Sequence, residues 1–371
     1  MDTCRGSRHI LLVLESWEAA GGPLDRFLSH YFRKNRFIGA KNRRFLAETV
    51  FQLVRLQGLL DHGVLIPSWA TRLSKFLRQD SPSPSDLPAH VACSFPLWYY
   101  QKLREEYGDK ASALCHLCNE PAPITIRVNE RLSSREALYA KWKGEHPIVK
   151  TPLSPWGITW KQRKDFFSMD EFRQGLFEVQ DEGSQLIALF VDAKPREKIL
   201  DYCSGSGGKS LAFAPGMEGK GQIYLHDIRR PALLQAKKRL KRAKVENAQI
   251  TLPQKRAKNR LLGKMDKVLL DVPCSGSGTL RRNPEMKWRL EPENLTQLKK
   301  TQRTLFAEAL PFLHKGGMLF YATCSVFAEE NQRQVDFFCQ QHPVEVIAQK
   351  QLLPQKSGHD GFFMAAFRLF C

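Results

Sequence analysis

Apolar positions in the first part of the chain recur at helical spacing. Leu24, Phe27, Leu28 and Tyr31 form one row, and Phe45, Leu46, Val50, Leu53 and Leu56 form a second, with little β character between them. This pattern predicts a small helical domain over residues 1–80. The segment Ser81-Pro82-Ser83-Pro84-Ser85-Asp86-Leu87-Pro88 follows. Its alternating prolines remove backbone donors and forbid a continuous helix, so residues 81–90 read as an extended linker. Helical segments then run to Asn119, and ITIRVNE (Ile124 to Glu130) alternates as a strand does, which gives a small mixed α/β module over residues 91–174.

From Gly175 the rhythm changes. KILDY, QIYLHD, KVLLD and MLFYAT are short apolar runs separated by glycine turns and by helical stretches such as PALLQAKKRLKRAK. Strands that alternate with helices require crossover connections, so residues 175–371 predict a doubly wound α/β sheet of the Rossmann type, with ligands at the carboxyl ends of its strands.

Composition narrows the partners. Among 371 residues, 57 lysines and arginines face 38 aspartates and glutamates, a formal charge of +19. Such an excess favours polyanions, because binding releases the counterions condensed on phosphates. RKNRFIGAKNRR (Arg33 to Arg44) interleaves cations with an aromatic in an expected helix-connecting loop and is a candidate phosphate grip. The KKRLKRAK tract (Lys237 to Lys244) reads as a solvated helix face. The nine cysteines show no disulfide spacing, and the N-terminal apolar stretch carries an acidic residue and no small-residue cleavage site. No run approaches the roughly 18 apolar residues that a bilayer span needs. These features predict a reducing, cytoplasmic setting with no membrane and no obligate protein partner. Cys115 and Cys118 form a C-x-x-C without a second pair; on a helix that spacing puts both on one face, so they read as core packing and no metal site is expected.

Asp201-Tyr202-Cys203-Ser204-Gly205-Ser206-Gly207-Gly208-Lys209 is a glycine-rich turn between a strand and a helix, where the backbone can approach a ligand closely. A nucleotide-phosphate loop would need glycine at 203, where Cys203 stands, so that motif is excluded. Asp227 lies about 20 residues beyond the turn, where a carboxylate reaches ribose hydroxyls or caps the helix that Pro231 begins. A nucleoside-containing cofactor is favoured, and these two features leave both NAD and S-adenosylmethionine open. Asp271-Val272-Pro273-Cys274 and Thr323-Cys324-Ser325 each end a predicted strand. Two thiols at the carboxyl edges of neighbouring strands converge on the crevice. An exocyclic-amine methyltransferase would instead place an N/D-P-P-Y/F/W signature there.

Together with VQDEGSQLIAL (Val179 to Leu189), DVPCSGSGTLRRNPEMKW (Asp271 to Trp288), YATCS (Tyr321 to Ser325) and HDGFFMAAFRL (His359 to Leu369), these segments resemble, in order and over most of the chain, the RsmB/Nop2/Sun family of RNA cytosine-C5 methyltransferases, in particular its bacterial 16S rRNA members. The resemblance implies a Rossmann-like class I methyltransferase domain behind a small α/β RNA-binding module and an N-terminal helical NusB-like domain. It implies S-adenosyl-L-methionine at Cys203, Ser204, Gly205, Ser206, Gly207, Gly208, Lys209, Asp227 and Asp271, and a catalytic set of Cys324, Cys274, Asp271 and Lys209. By resemblance Cys324 attacks cytosine C6 and Cys274 assists release of the product. The reverse assignment, familiar from DNA enzymes, stays open on sequence. Asp271 is expected at the N3 and amino edge of the base, and Lys209 is expected to hold that carboxylate or to favour a thiolate. RRNPEMKWRL (Arg281 to Leu290) is expected to supply phosphate contacts and, through Trp288, base stacking. Two departures stand out: Gly205-Ser206 replaces the family's alanine-proline, and ITLPQKRAKNR (Ile250 to Arg260) lacks the acidic residue expected near the adenine. RNA is the implied partner. The NusB-like resemblance and the lack of residues for a further RNA-binding domain after the last strand favour 16S rRNA, with tRNA second. A non-catalytic ribosome-assembly protein is the alternative that the intact cysteine pair opposes.

Overall fold

A computed structural model of the chain describes residues 3–80, 84–162, 164–251 and 259–370. Residues Ser81 to Ser83 of the expected linker, and most of the ITLPQKRAKNR segment, lie outside the described residues. The chain forms two compact units, one of residues 1–121 with 279–290 and one of residues 122–278 with 291–371.

The first unit is helical. Its helices include Thr3–Ala20, Leu24–Lys34, Ala40–Arg55, Trp69–Arg78, Leu97–Tyr107 and Lys110–Asn119. Helix Leu24–Lys34 follows Pro23, carries Asp25 in its first turn and Arg33 and Lys34 in its last, a charge order that complements the helix dipole. Ser68 caps helix Trp69–Arg78 by accepting from Thr71 N at 3.1 Å. Val13, Leu14, Leu24, Leu28, Leu46, Val50, Leu53 and Leu73 pack as the core. Phe45, expected on the inner face, is half exposed. The basic tract is a loop only between the helices that end at Lys34 and begin at Ala40; Lys41 to Arg44 open the second helix. Arg43 folds back onto that loop, donating through Nε to Ile38 O at 2.6 Å, while Phe37 stays exposed. Cys115 and Cys118 are buried on helix Lys110–Asn119, and no cluster with metal-holding geometry occurs among the described residues.

The segment Thr279–Leu290 belongs to this helical unit, and three of the residues expected at RNA, Arg281, Lys287 and Trp288, are committed to its packing instead, whereas Arg289 stays exposed. Arg281 and Lys287 are buried. Lys287 Nζ donates to Arg55 O at 2.9 Å and Asn119 Oδ1 at 2.6 Å, and Trp288 Nε1 donates to Val54 O at 2.7 Å while its ring joins the helical core. Arg55 Nη2 donates to Arg281 O at 3.0 Å, and Glu285 Oε1 accepts from Leu24 N at 3.1 Å. Burial pushes the Lys287 ammonium down to about 7. The two buried cations of this segment are thus spent on main-chain carbonyls of Arg55 and Pro121 and on the Asn119 side chain.

The second unit holds two sheets. In the first, β1 (Ile124–Val128), β2 (Ile148–Lys150), β3 (Gly157–Trp160) and β4 (Phe177–Val179) run antiparallel in the order β2-β3-β1-β4. Ile126 and Val128 enter a core with Leu138, Trp142, Ile158, Trp160 and Phe177. Alternation along β1 turns Arg127 the other way, where its Nη1 reaches Gly208 O at 2.9 Å and Gln180 Oε1 at 2.7 Å.

The second sheet comprises β5 (Lys198–Asp201), β6 (Gln222–Leu225), β7 (Ala248–Ile250), β8 (Met265–Asp271), β9 (Leu313–Thr323), β10 (Val344–Leu352) and β11 (Phe362–Leu369), in the order β10-β11-β9-β8-β5-β6-β7. The five strands from β9 to β7 are parallel, as expected; β11 is antiparallel to both β9 and β10, because no helix separates β10 from β11 to carry the chain back. Alternate residues face two cores. Ile199, Leu269, Phe320, Ala322 and Met364 pack on one side, and Leu200, Val268, Leu270, Leu319, Tyr321 and Phe363 on the other with Phe306 and Phe338. The strand order reverses between β5 and β8, so a ligand crevice opens at their carboxyl ends. No helix among the described residues is long and apolar enough to cross a membrane.

If Trp288 is structural, Trp288→Ala should lower the unfolding free energy of the protein by about 3 kcal/mol, the usual cost of deleting a packed aromatic. Chemical denaturation monitored by circular dichroism checks this; unchanged stability with weakened RNA binding would restore the stacking role.

Candidate active site

β5 ends at Asp201 and runs into the glycine turn. Gly205 (φ 53°) and Gly207 (φ 76°) sit in left-handed conformations, and a Cβ on Gly207 would lie 3.1 Å from a Leu225 methyl and 3.3 Å from Ala236 Cβ. The turn is pinned by Ser204 N to His226 O at 2.9 Å and Gly207 N to Ser204 O at 2.8 Å. Asp227, two residues beyond β6, accepts from Gly205 N at 2.8 Å and from Arg229 N and Nε at 2.8 and 3.0 Å. Burial would raise its pKa, but these hydrogen bonds and the Arg229 charge outweigh burial and hold it below the usual carboxylate range. Ser206 Oγ accepts from Arg239 Nη1 at 2.7 Å, and Cys203 packs its half-buried thiol against the apolar core beneath the turn, where burial raises its pKa.

Asp201, absent from the residues expected in the site, is buried at the head of this turn. Its Oδ2 accepts from Ser210 Oγ at 2.7 Å, while its Oδ1 has no hydrogen-bond partner among the described residues. Burial lifts its carboxyl to about 7. Ser204 Oγ is likewise buried without a partner among those residues. A glycine-rich turn with unsatisfied buried oxygens at Asp201 and Ser204 is suited to a polar ligand laid against the backbone.

Lys209, in the first turn of the short helix Gly208–Phe213, is buried and places Nζ 2.5 Å from Asp271 Oδ2 at the end of β8. Burial alone would depress this ammonium; the charge of Asp271 and its hydrogen bond overcome burial and leave the pKa raised. The pair is therefore an ammonium held against a carboxylate.

The two cysteines meet. β8 and β9 pair in parallel with Asp271 opposite Ala322, so Cys274 and Cys324 leave adjacent strand ends side by side. Their Sγ atoms are 3.2 Å apart, both thiols are free, and Cys324 N lies 3.3 Å from Cys274 Sγ. The hydrogen bond between the sulfurs, followed by burial, raises the Cys274 pKa well above the ordinary thiol value, so Cys274 keeps its proton. Gly278 N donates to Cys324 O at 2.9 Å and Gly278 O accepts from Gly361 N at 2.8 Å; a Cβ on Gly278 would fall 2.2 Å from Gly361 O, so the His-Asp-Gly-Phe-Phe segment closes directly over the Pro-Cys loop.

Beneath the cysteines lies a buried polar network that sequence reasoning missed. Glu330 is fully buried, and its carboxylate accepts from Ser275 N (2.9 Å), Ser275 Oγ (2.5 Å) and Gln302 Nε2 (2.9 Å). Ser277 Oγ lies 2.9 Å from Ser325 Oγ, and Asn331 Nδ2 donates to Ser325 O at 3.0 Å. The network thus ties the loop after β8 to the loop after β9. The one available signal was the Glu329-Glu330-Asn331 run a few residues after Thr-Cys-Ser, which reads as an ordinary polar turn until its burial is known.

A seven-stranded sheet of this order, with a glycine turn and acidic strand ends around the switch point, is the architecture of the class I methyltransferases. The family described as "16S rRNA methyltransferase RsmB/F" matches residues 188–368, and its companion "Methyltr_RsmF/B-like, ferredoxin-like domain" matches residues 95–166. The chain is 32% identical over 286 residues to the ribosomal RNA small subunit methyltransferase B of Photorhabdus laumondii, covering 73% of this chain and 65% of that protein. It is 30% identical over 279 residues to the enzyme of the same name from Proteus mirabilis, covering 73% and 64%. The chain thus spans slightly less than two thirds of the length of these relatives. Among solved structures, a methyltransferase homolog protein from Pyrococcus horikoshii superposes with a TM-score of 0.69 at 24% identity, over 78% of this chain and all of that one, and NSun6 from the same organism with SFG superposes with 0.66 at 20%, over 74% and 98%. These likenesses establish the fold. The chain belongs to the RsmB/Nop2/Sun family.

Glu330→Gln turns one acceptor oxygen into a donor facing donors, so it should cost about 1–3 kcal/mol of stability. It should also bring the alkylation of Cys274 by iodoacetamide to a lower pH, because the Glu330 charge helps hold the proton on that sulfur. Mass-spectrometric alkylation profiles of variant and parent check this; identical pH profiles would remove Glu330 from the account.

Proposed function

We propose that this chain transfers a methyl group from S-adenosyl-L-methionine to carbon 5 of a cytosine in RNA, with 16S rRNA as the favoured substrate, through a covalent bond between Cys324 and carbon 6. The observation that carries the reading is the pair of thiols 3.2 Å apart beside an ammonium-held carboxylate. The RNA assignment draws on the formal charge of +19 and on the rRNA named in the family description and its curated relatives.

The crevice suits the cofactor. The glycine turn admits a ligand against the backbone, the buried Ser204 Oγ and Asp201 Oδ1 lack partners among the described residues, and Asp227 stands at the end of the neighbouring strand, where ribose hydroxyls are bound in such sheets. S-adenosylmethionine held there supplies an electrophilic methyl group on a sulfonium.

Carbon 5 of cytosine is a weak nucleophile while the ring is aromatic. Cys324, as thiolate, adds through Sγ to carbon 6, and the electron pair of the C5–C6 double bond becomes available at carbon 5. Cys274 keeps its proton 3.2 Å from the Cys324 sulfur, which separates the roles of the two residues. Lys209 occupies one oxygen of Asp271, and the carboxylate hydrogen-bonds the N3 and amino edge of the base, stabilising the protonated ring on which addition is easiest. Once carbon 5 carries the methyl group, water takes its proton, the C5–H electron pair re-forms the C5–C6 double bond, and the C6–S bond breaks to release Cys324 as thiolate, with the thiol of Cys274 donating toward the departing sulfur. The base must leave its stack to reach the thiols, which favours a loop or a flipped nucleotide.

Cys324→Ala should abolish methyl transfer to 16S rRNA while leaving S-adenosylmethionine binding within about two-fold of the parent, an effect confined to the transition state. Cys274→Ala should instead accumulate a protein–RNA adduct that survives a denaturing gel. Tritium transfer with 16S rRNA and tRNA as separate substrates, alongside calorimetric cofactor binding, checks both; full activity in Cys324→Ala would end the assignment.

A further inference from the structure

We propose that a basic cleft at the far end of helix Arg230–Arg242 seats the phosphate backbone of the RNA on nucleotides flanking the reacting cytosine; this rests on the RNA reading above. The cleft has a volume of 540 Å³, and five of its eight lining residues are cations: Arg173, Lys238, Lys241, Arg242 and Lys244. None of the eight is acidic. Leu132 and Leu176 supply apolar surface between them, suited to the sugar edge of a nucleotide.

The cleft is built rather than incidental. Its two walls come from the segment before β4 and from the helix that follows β6, and they are locked together. Gly175 (φ 79°) approaches so closely that a Cβ there would stand 2.0 Å from Arg242 O, and Asn129 Nδ2 donates to both Gly175 O and Ala243 O at 3.0 Å. Lys238, Lys241 and Arg242 fall at i, i+3 and i+4 and so share one helix face, whereas Lys237 does not line the cleft. The tract that reads from sequence as a solvated helix face therefore has one side turned into a concavity.

Its charge is largely uncompensated. Glu178 is already shared by Arg239 and Arg242, and Arg173 pairs only with the exposed Asp170 among the described residues. The side chains of Lys238, Lys241 and Lys244 have no hydrogen-bond or ion-pair partner among those residues, and Arg242 lies 3.8 Å over the Phe172 ring with its buried Nε unpartnered. The helix C-termini contribute about −0.5 each, which leaves most of the positive charge for a ligand. From Ala236, which packs on the glycine turn, to Lys244 the chain rises about 12 Å at helical pitch. The cleft thus lies beside the turn and reaches nucleotides flanking the target rather than the target base.

The test is the salt dependence of RNA binding, measured by filter binding with protein-free 16S rRNA and with polycytidylate, on the full chain. Lys238→Gln/Lys241→Gln/Lys244→Gln should lower the slope of log K against log salt by about 2, since each single-stranded phosphate contact contributes about 0.7. It should raise KM for RNA at unchanged kcat, and the control Lys220→Gln/Lys237→Gln/Lys350→Gln should do neither. An unchanged slope in the cleft variant, or an equal loss in the control, overturns the cleft. Binding is read without turnover, so a chain that bound RNA through the cleft yet methylated nothing would defeat the proposed activity and leave the cleft standing. The reverse pattern would defeat the cleft alone.

Discussion

The site depends on the parallel pairing of β8 with β9. Asp271 lies opposite Ala322 in that ladder, and from this single register follow the position of the carboxylate, the two loops that leave the strand ends, and the 3.2 Å approach of their sulfurs. A slip of one residue would turn the slipped strand over and exchange its two apolar faces. That slip is opposed on each side of the sheet, by Leu269, Phe320 and Ala322 in one core and by Val268, Leu270, Leu319 and Tyr321 in the other. Packing far from the chemistry therefore sets the distance at which the chemistry occurs, and the Glu330 network fixes the loops that packing alone would leave free.

Much of this organisation could be read from the chain, and the reasons are specific. β5, β6, β8 and β9 are buried on both faces, so they appear as continuous apolar runs, and their glycine and Pro-Cys endings mark the crevice. Asp271, Lys209, Cys274 and Cys324 are brought together by the fold. The antiparallel insertion of β11 was less legible, since its direction depends on what the connecting chain between Leu352 and Phe362 can reach.

The misread positions share one cause: a charged or polar residue does not reveal whether it is solvated. Lys287 and Arg281 look like RNA contacts, yet they are buried in the helical unit, where they satisfy the main-chain carbonyls of Arg55 and Pro121. Glu330 looks like a surface turn and is the centre of a buried network. Asp201 looks like the last residue of a strand and proves to be a carboxyl that burial lifts to about 7. Partners distant in sequence decide each case, and local pattern carries no information about them.

The account turns on the inequality of two neighbouring thiols, and a mechanism-based trap reads it directly. On the proposed route, RNA carrying 5-fluorocytidine at the target position undergoes addition at carbon 6 and methylation but has no proton at carbon 5 to lose, so the protein–RNA bond persists. Peptide mapping of that complex by mass spectrometry should find the nucleotide on Cys324, with Cys274 unmodified. A nucleotide on Cys274 would contradict the account.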